Sequence, residues 1–278
     1  FSDAVYGIEG DGRYVNESRL KKMLSHEVNL IEKRLSREKH PNKMFFSYAN
    51  TVATIDFAKQ FKGHGWVGIS YQIEPDEDYN EIILHIRFKE TDVRLQQETL
   101  GILGVNLIYG AFYKYNDPKR LLRYLYDHLD KDQLEIDTIN FSGPRFADVD
   151  NRLMSLQLVK NGMTDAVMFN PDGKNILPAA ILYKKNILAF RGSFRPVTKV
   201  NMDMYEKSLK MFLKENKVEK ENTLVIFEIT LSNLRSDGEI DERDFMDRAE
   251  LLCGLGQTVM ISNFQEYYKV VEYFSNYT

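Results

Sequence analysis

Apolar and polar positions along this chain follow two rhythms. From about residue 133 onward, short apolar runs end in polar turns and alternate with segments of helical spacing. Leu134-Glu-Ile-Asp-Thr-Ile-Asn-Phe141 ends in Ser142-Gly143-Pro144, Ala166-Val-Met-Phe169 in Asn170-Pro171-Asp172-Gly173, and Asn186-Ile-Leu-Ala-Phe190 in Arg191-Gly192-Ser193-Phe194-Arg195. The pattern predicts strands over 134–141, 165–169, 186–190, 223–229 and 258–262. It predicts helices over 148–161, 201–215, 241–253 and 264–276, with a short one near 176–183. Apolar runs of this kind imply parallel strands covered on both faces and joined by right-handed crossovers. Gly162 and Gly254 stand where helix C-terminal caps belong.

The first half reads differently. Residues 1–15 are rich in Gly and Asp and predict a loop. Asn16-Glu17-Ser18 can cap a helix reaching about Arg37, with Leu20, Met23, Leu24, Val28, Leu30, Ile31 and Leu35 as its apolar stripe. Strands are expected at 44–48 and 52–57. A hairpin of 66–73 and 81–89 should flank the acidic loop 74–80. Residues 91–113 predict a long helix containing Gly101, Gly104 and Gly110, and Pro118 starts another through about Leu129. Each Gly costs about 1 kcal/mol relative to Ala inside a helix, so three suggest close approach by another backbone or a break near Gly110. The fold class expected is α/β: a mixed, mainly parallel open sheet with flanking helices over 131–278, plus an N-terminal α+β section over 1–130. Five βα steps and a hairpin do not make a regular eight-fold barrel.

Composition changes this picture little. The chain has 278 residues and a formal net charge of −4, which gives no support for nucleic acid or an anionic membrane as partner. The single cysteine, Cys253, excludes an internal disulfide and reads as a small buried residue rather than a reactive thiol. No signal-peptide pattern opens the chain, and the longest apolar window, 100–113, falls short of the ~20 residues that span a bilayer. A cytoplasmic protein is the expectation.

In open α/β sheets ligands sit at the carboxyl ends of the strands, and the turns there hold the candidate chemistry. Arg191, Ser193 and Arg195 could bind an anion through two guanidiniums and turn amides, or neutralise nearby aspartates. Asn170 and Asn263 would join them at the same rim. Glu228, inside Leu-Val-Ile-Phe-Glu-Ile, must be paired or have a raised pKa; it is a candidate general base or the partner of an Arg. Asp150 is the other catalytic candidate. Asp148 and Asp150, with Asp172, could hold Mg²⁺; the alternative is that they cap the next helix. His64 stands between Gly63 and Gly65, while His26, His40, His85 and His128 read as surface or edge residues, so no cluster is expected. Dinucleotide, P-loop and esterase-elbow motifs do not occur.

Several stretches carry a resemblance. They are Phe1-Ser-Asp-Ala-Val-Tyr-Gly7, His64-Gly-Trp66, 100–112, Phe141-Ser-Gly-Pro144 with Asp148-Val-Asp-Asn-Arg152, Arg191-Gly-Ser-Phe-Arg-Pro-Val197 and Gly256-Gln-Thr-Val-Met-Ile-Ser-Asn263. Over nearly its whole length the chain resembles a family of bacterial proteins common in the Bacteroidetes. Its members are labelled inconsistently, as nicotinate-nucleotide adenylyltransferases or as TonB-dependent receptors. They are longer at both ends, so the resemblance implies an internal portion of a longer protein. Gly63-His64-Gly65-Trp66 is not the His-x-Gly-His motif of adenylyltransferases, and the alternating membrane strands of a receptor are missing. The resemblance assigns no catalytic residue.

Two functions are therefore expected. One is binding or turnover, with a transferase among the options, of a small anionic metabolite, phosphorylated or carboxylated and including nucleotide types, at the strand ends. The other is a non-catalytic scaffold or assembly protein, which could be a homo-oligomer, using helix 91–113 and the hairpin as its interface.

Overall fold

The computed structural model describes residues 5–6, 14–55, 62–236 and 238–277. Most of the expected loop 1–15 and the end of the expected strand 52–57 lie outside these residues. The chain divides into two compact units, 1–154 and 155–278.

The first unit is built on an antiparallel sheet. Its elements are helix α1 (Glu17–Leu35), strands β1 (Phe46–Ala53), β2 (His64–Tyr71) and β3 (Asn80–Phe88), helices α2 (Val93–Tyr113) and α3 (Pro118–Tyr124), and strand β4 (Leu134–Ser142). The strand order is β1-β2-β3-β4. Asn16 caps α1 by accepting from the Arg19 amide, and Leu20, Leu24 and Val28 form its buried stripe. Leu20 and Leu24 lie over Gly68, where a Cβ would stand 3.1 Å from each. On the other face of the sheet, Tyr48 fills the space left by Gly104 of α2. Both faces are thus covered, and seven of the eight β2 residues are buried.

Three expectations change here. Residues 46–53 form one strand rather than two, because Ala49, Asn50 and Thr51 continue the ladder opposite Gly68, Val67 and Trp66. The Thr51 hydroxyl is satisfied by the Tyr14 carbonyl at 2.6 Å. Helix α2 runs unbroken through Gly110; that glycine makes room for Leu121, 3.2 Å from where a Cβ would be, and Gly101 faces open space. The largest change is β4. It pairs antiparallel with β3, so the first run of the supposed parallel series belongs to the other sheet. An apolar run records that a strand is buried on both faces; it does not record direction or neighbour.

In the second unit the strands of the main sheet are β5 (Ala166–Phe169), β6 (Asn175–Ile176), β7 (Asn186–Arg191), β8 (Thr223–Thr230) and β9 (Thr258–Ser262). They lie in the order β6-β5-β9-β8-β7. β7, β8 and β9 are parallel, whereas β5 runs antiparallel to β9 and β6 antiparallel to β5. The sheet is mixed rather than mainly parallel. β5 and β6 are joined by the turn at Asn170–Gly173, which needs no crossover helix. Helix α4 (Asn151–Lys160) leads into this unit from the first. α5 (Pro178–Leu182), α6 (Lys199–Phe212), α7 (Glu242–Gly254) and α8 (Tyr267–Ser275) follow. Met168, Ile226 and Met260 pack with Val270 and Phe274 of α8. Phe245, Ala249 and Leu252 are the buried side of α7, and Phe245 lies 6.2 Å from the Phe169 ring. Cys253 is buried, as expected.

Candidate functional site

Pairing of β7 with β8 sets Arg191 beside Glu228 at the carboxyl end of the parallel trio. Nε and Nη2 of Arg191 donate to the two Glu228 oxygens, each at 2.8 Å. The Ser262 hydroxyl adds a third donor to Oε1 at 2.6 Å. Nη1 of Arg191 reaches the Gln265 carbonyl at 3.1 Å, and the Tyr267 ring lies 4.5 Å from the guanidinium carbon. The side chains are 9% and 1% exposed. Of the two alternatives for Glu228, the structure shows the ion pair. Hydrogen bonding to that carboxylate also raises the Arg191 pKa, although burial opposes the rise. Both charged groups are engaged within the protein, and three of the five Arg191 N–H donors are bonded to protein acceptors.

The rest of the expected rim is only partly assembled. The Gly192 amide is bonded to the Glu228 carbonyl, so it does not face a ligand. Ser193 is exposed, and its carbonyl accepts from buried Arg248 at 2.8 Å. Arg195 Nε sits 3.3 Å from Asp244, which also pairs with Arg248. Exposed Asn263 follows β9 at the same end, its amide bonded to the Asp165 carbonyl. Asn170 is at the opposite end, because antiparallel β5 sets Phe169 against Val259. There its Oδ1 accepts from the Lys174 amide and shapes a turn.

Asp148 and Asp150 belong to the first unit and Asp172 to the second. Asp150 accepts from the Arg152 amide at 2.8 Å and pairs with its guanidinium at 2.9 Å. Burial pushes the Asp150 pKa up, but the Arg152 hydrogen bonds and charge outweigh it and hold the carboxyl below its ordinary value. This is the helix-terminus role, not the metal role. Among the described residues no group of three or more His, Cys, Asp or Glu side chains is placed to hold a metal ion.

A polar arrangement of a different kind crosses the antiparallel sheet. The β2–β3 register sets His64 opposite Arg87 and Trp66 opposite His85. The β3–β4 register then shifts: His85 faces Thr138 while Ile86 faces Ile136, which leaves Asp137 as the extra residue. Such a bulge re-aims one side chain. Asp137 Oδ1 lies 2.7 Å from His85 Nδ1, and both residues are buried. His85 Nε2 lies 3.2 Å from His64 Nδ1, and the Trp66 ring is 4.9 Å from that of His85.

The chemistry of the partners sets the direction of this chain. A carboxylate only accepts, so it takes the Nδ1–H of His85. With His85 in its neutral form, Nε2 is an acceptor and takes the Nδ1–H of His64; an imidazolium at His85 would reverse that bond. The lone pair of His64 Nε2 is left at the end, with no hydrogen-bond partner among the described residues. His64 is half-buried; burial, then the neighbouring His85 and Arg87, lower its pKa below the ordinary value, with Asp137 opposing. It is a neutral imidazole at pH 7.

Two of the histidines read as scattered are therefore adjacent. One sign of this is legible in the chain: Asp137 is a carboxylate inside an apolar run, as Glu228 is. Comparison with known proteins finds no matching family model, no matching curated protein and no matching solved structure.

Proposed function

We propose that the protein acts on a small anionic metabolite, phosphorylated or carboxylated, by proton transfer at His64 Nε2. What carries this reading is the Asp137–His85–His64 chain, which ends in a basic ring nitrogen. A positioned imidazole of this kind is worth about 10²–10⁴-fold in rate when it takes a proton from water or from a substrate hydroxyl. Arg87, directly opposite His64, supports an anionic substrate: its charge reaches the imidazole strongly enough to lower the pKa. Asp137 balances part of the positive charge that forms on the relay when the base accepts its proton.

The test has two arms. A panel of phosphorylated and carboxylated metabolites is screened by thermal shift against the wild type and His64→Asn. A true ligand at 100 times its Kd adds about 2.7 kcal/mol. A compound that stabilises both proteins but is converted only by the wild type is the expected result. Ring-resonance NMR supplies the second arm. His64 should titrate below the ordinary value of about 6.5. Because its folded pKa is the lower one, the unfolded chain binds more protons between the two values. This group's contribution therefore falls as pH drops from about 6.5 through the folded pKa. A His64 that titrates at or above 6.5, or a panel without a ligand, would overturn the proposal.

A further inference from the structure

A second cluster lies at the corner where α2 gives way to α3, and the relay makes no use of it. Lys114 ends α2, and Asp117 caps α3 by accepting from the Arg120 amide. A depression of about 390 Å³ is lined by Lys114, Arg120, Arg123, Tyr124, Tyr126 and Asp127, three cations against one acid. Arg120 and Arg123 are three residues apart on one helix and so project to the same side. Both are exposed, and among the described residues neither guanidinium has an ion pair or hydrogen bond. Two adjacent like charges without an acid between them are ordinarily unfavourable.

Beside them stands an aromatic wall. Tyr109 stacks on Tyr113 at 4.6 Å and meets Tyr124 at 5.1 Å. The Lys114 ammonium lies 4.5 Å from the Tyr124 ring and 5.5 Å from that of Tyr109. Tyr113 is 73% and Tyr109 43% exposed. Guanidiniums suited to bidentate oxyanion binding, set beside a π surface, are the two halves of recognition for a ring that carries a phosphate.

We propose that this corner binds a small aromatic phosphate, with the phosphate between Arg120 and Arg123 and the ring against the Tyr109–Tyr124 wall. The site stands independently of the relay, and the experiment keeps the two apart. AMP is titrated into the full chain by calorimetry at low and physiological salt, with adenosine and inorganic phosphate as separate arms. The expected result is saturable AMP binding that weakens with salt, with each half-ligand at least about tenfold weaker, a difference of 1.4 kcal/mol. Arg120→Ala/Arg123→Ala, which alters only exposed side chains, should weaken AMP at least about tenfold, and Tyr124→Leu similarly. His64→Asn should leave AMP binding unchanged. No saturation at millimolar AMP, phosphate binding as tightly as AMP, or full affinity in the double-arginine variant would each overturn the proposal.

Discussion

Arg191→Ala is expected to destabilise the protein by about 3–5 kcal/mol, because it leaves Glu228 as a buried charge without a counterion. The remaining donor to that carboxylate, the Ser262 hydroxyl, holds one oxygen only. Removing both charges should be far milder. Arg191→Met with Glu228→Leu is expected to be near neutral, since the attraction lost is offset by the desolvation avoided. The two single variants and the double form a cycle read from urea midpoints at constant slope. A loss under about 1 kcal/mol in Arg191→Ala would mean that solvent reaches the pair and that its burial has been overstated. The same reasoning bears on ligand studies at the strand ends: an Arg191 variant reports on folding first, and exposed Arg195 is the better probe there.

The second large effect is expected at Asp137. Asp137→Asn preserves the shape of a side chain that is 5% exposed, yet its amide can donate to His85 Nδ1. His85 would then carry its proton on Nε2 and donate to His64 Nδ1, which moves the His64 proton to Nε2 and removes the base. Any turnover that depends on His64 should fall by roughly 10²–10⁴-fold. The His64 pKa should move further down, because the Asp137 charge holds it up in the native protein. Asp137→Ala adds a structural loss of about 1–3 kcal/mol by leaving the buried His85 N–H unpaired. Nitrogen-15 shifts of the two rings report the tautomers directly. A wild-type His64 that carries its proton on Nε2 would refute the assigned proton order.

Local signals account for most of what could be read in advance. The stripe Leu20, Leu24 and Val28, the hairpin around 74–80 and the positions of strands β7, β8 and β9 are all written in periodicity and turn residues. Glu228 was legible as a carboxylate that is either a general base or half of an ion pair, because an unpaired carboxylate has no place in an apolar strand; the sequence did not decide between them. What stayed hidden is non-local. β4 and β5 carry the same apolar pattern as parallel strands, and only the pairing reveals their direction. The relay depends on register across three strands and on a one-residue slip, which moves a side chain between neighbours without altering composition. His64, His85 and Asp137 are separated by 21 and 52 positions and meet only once the sheet has formed. The glycines of α2 were read as close approach by another backbone or a break; two of them instead make room for side chains, Tyr48 and Leu121.

Trp66 is the chain's single indole, and it stands against the central imidazole of the relay. Intrinsic emission therefore comes from one place in the sheet, and a ligand or substitution that moves the His85 ring away from Trp66 can be followed optically without a label or a known substrate.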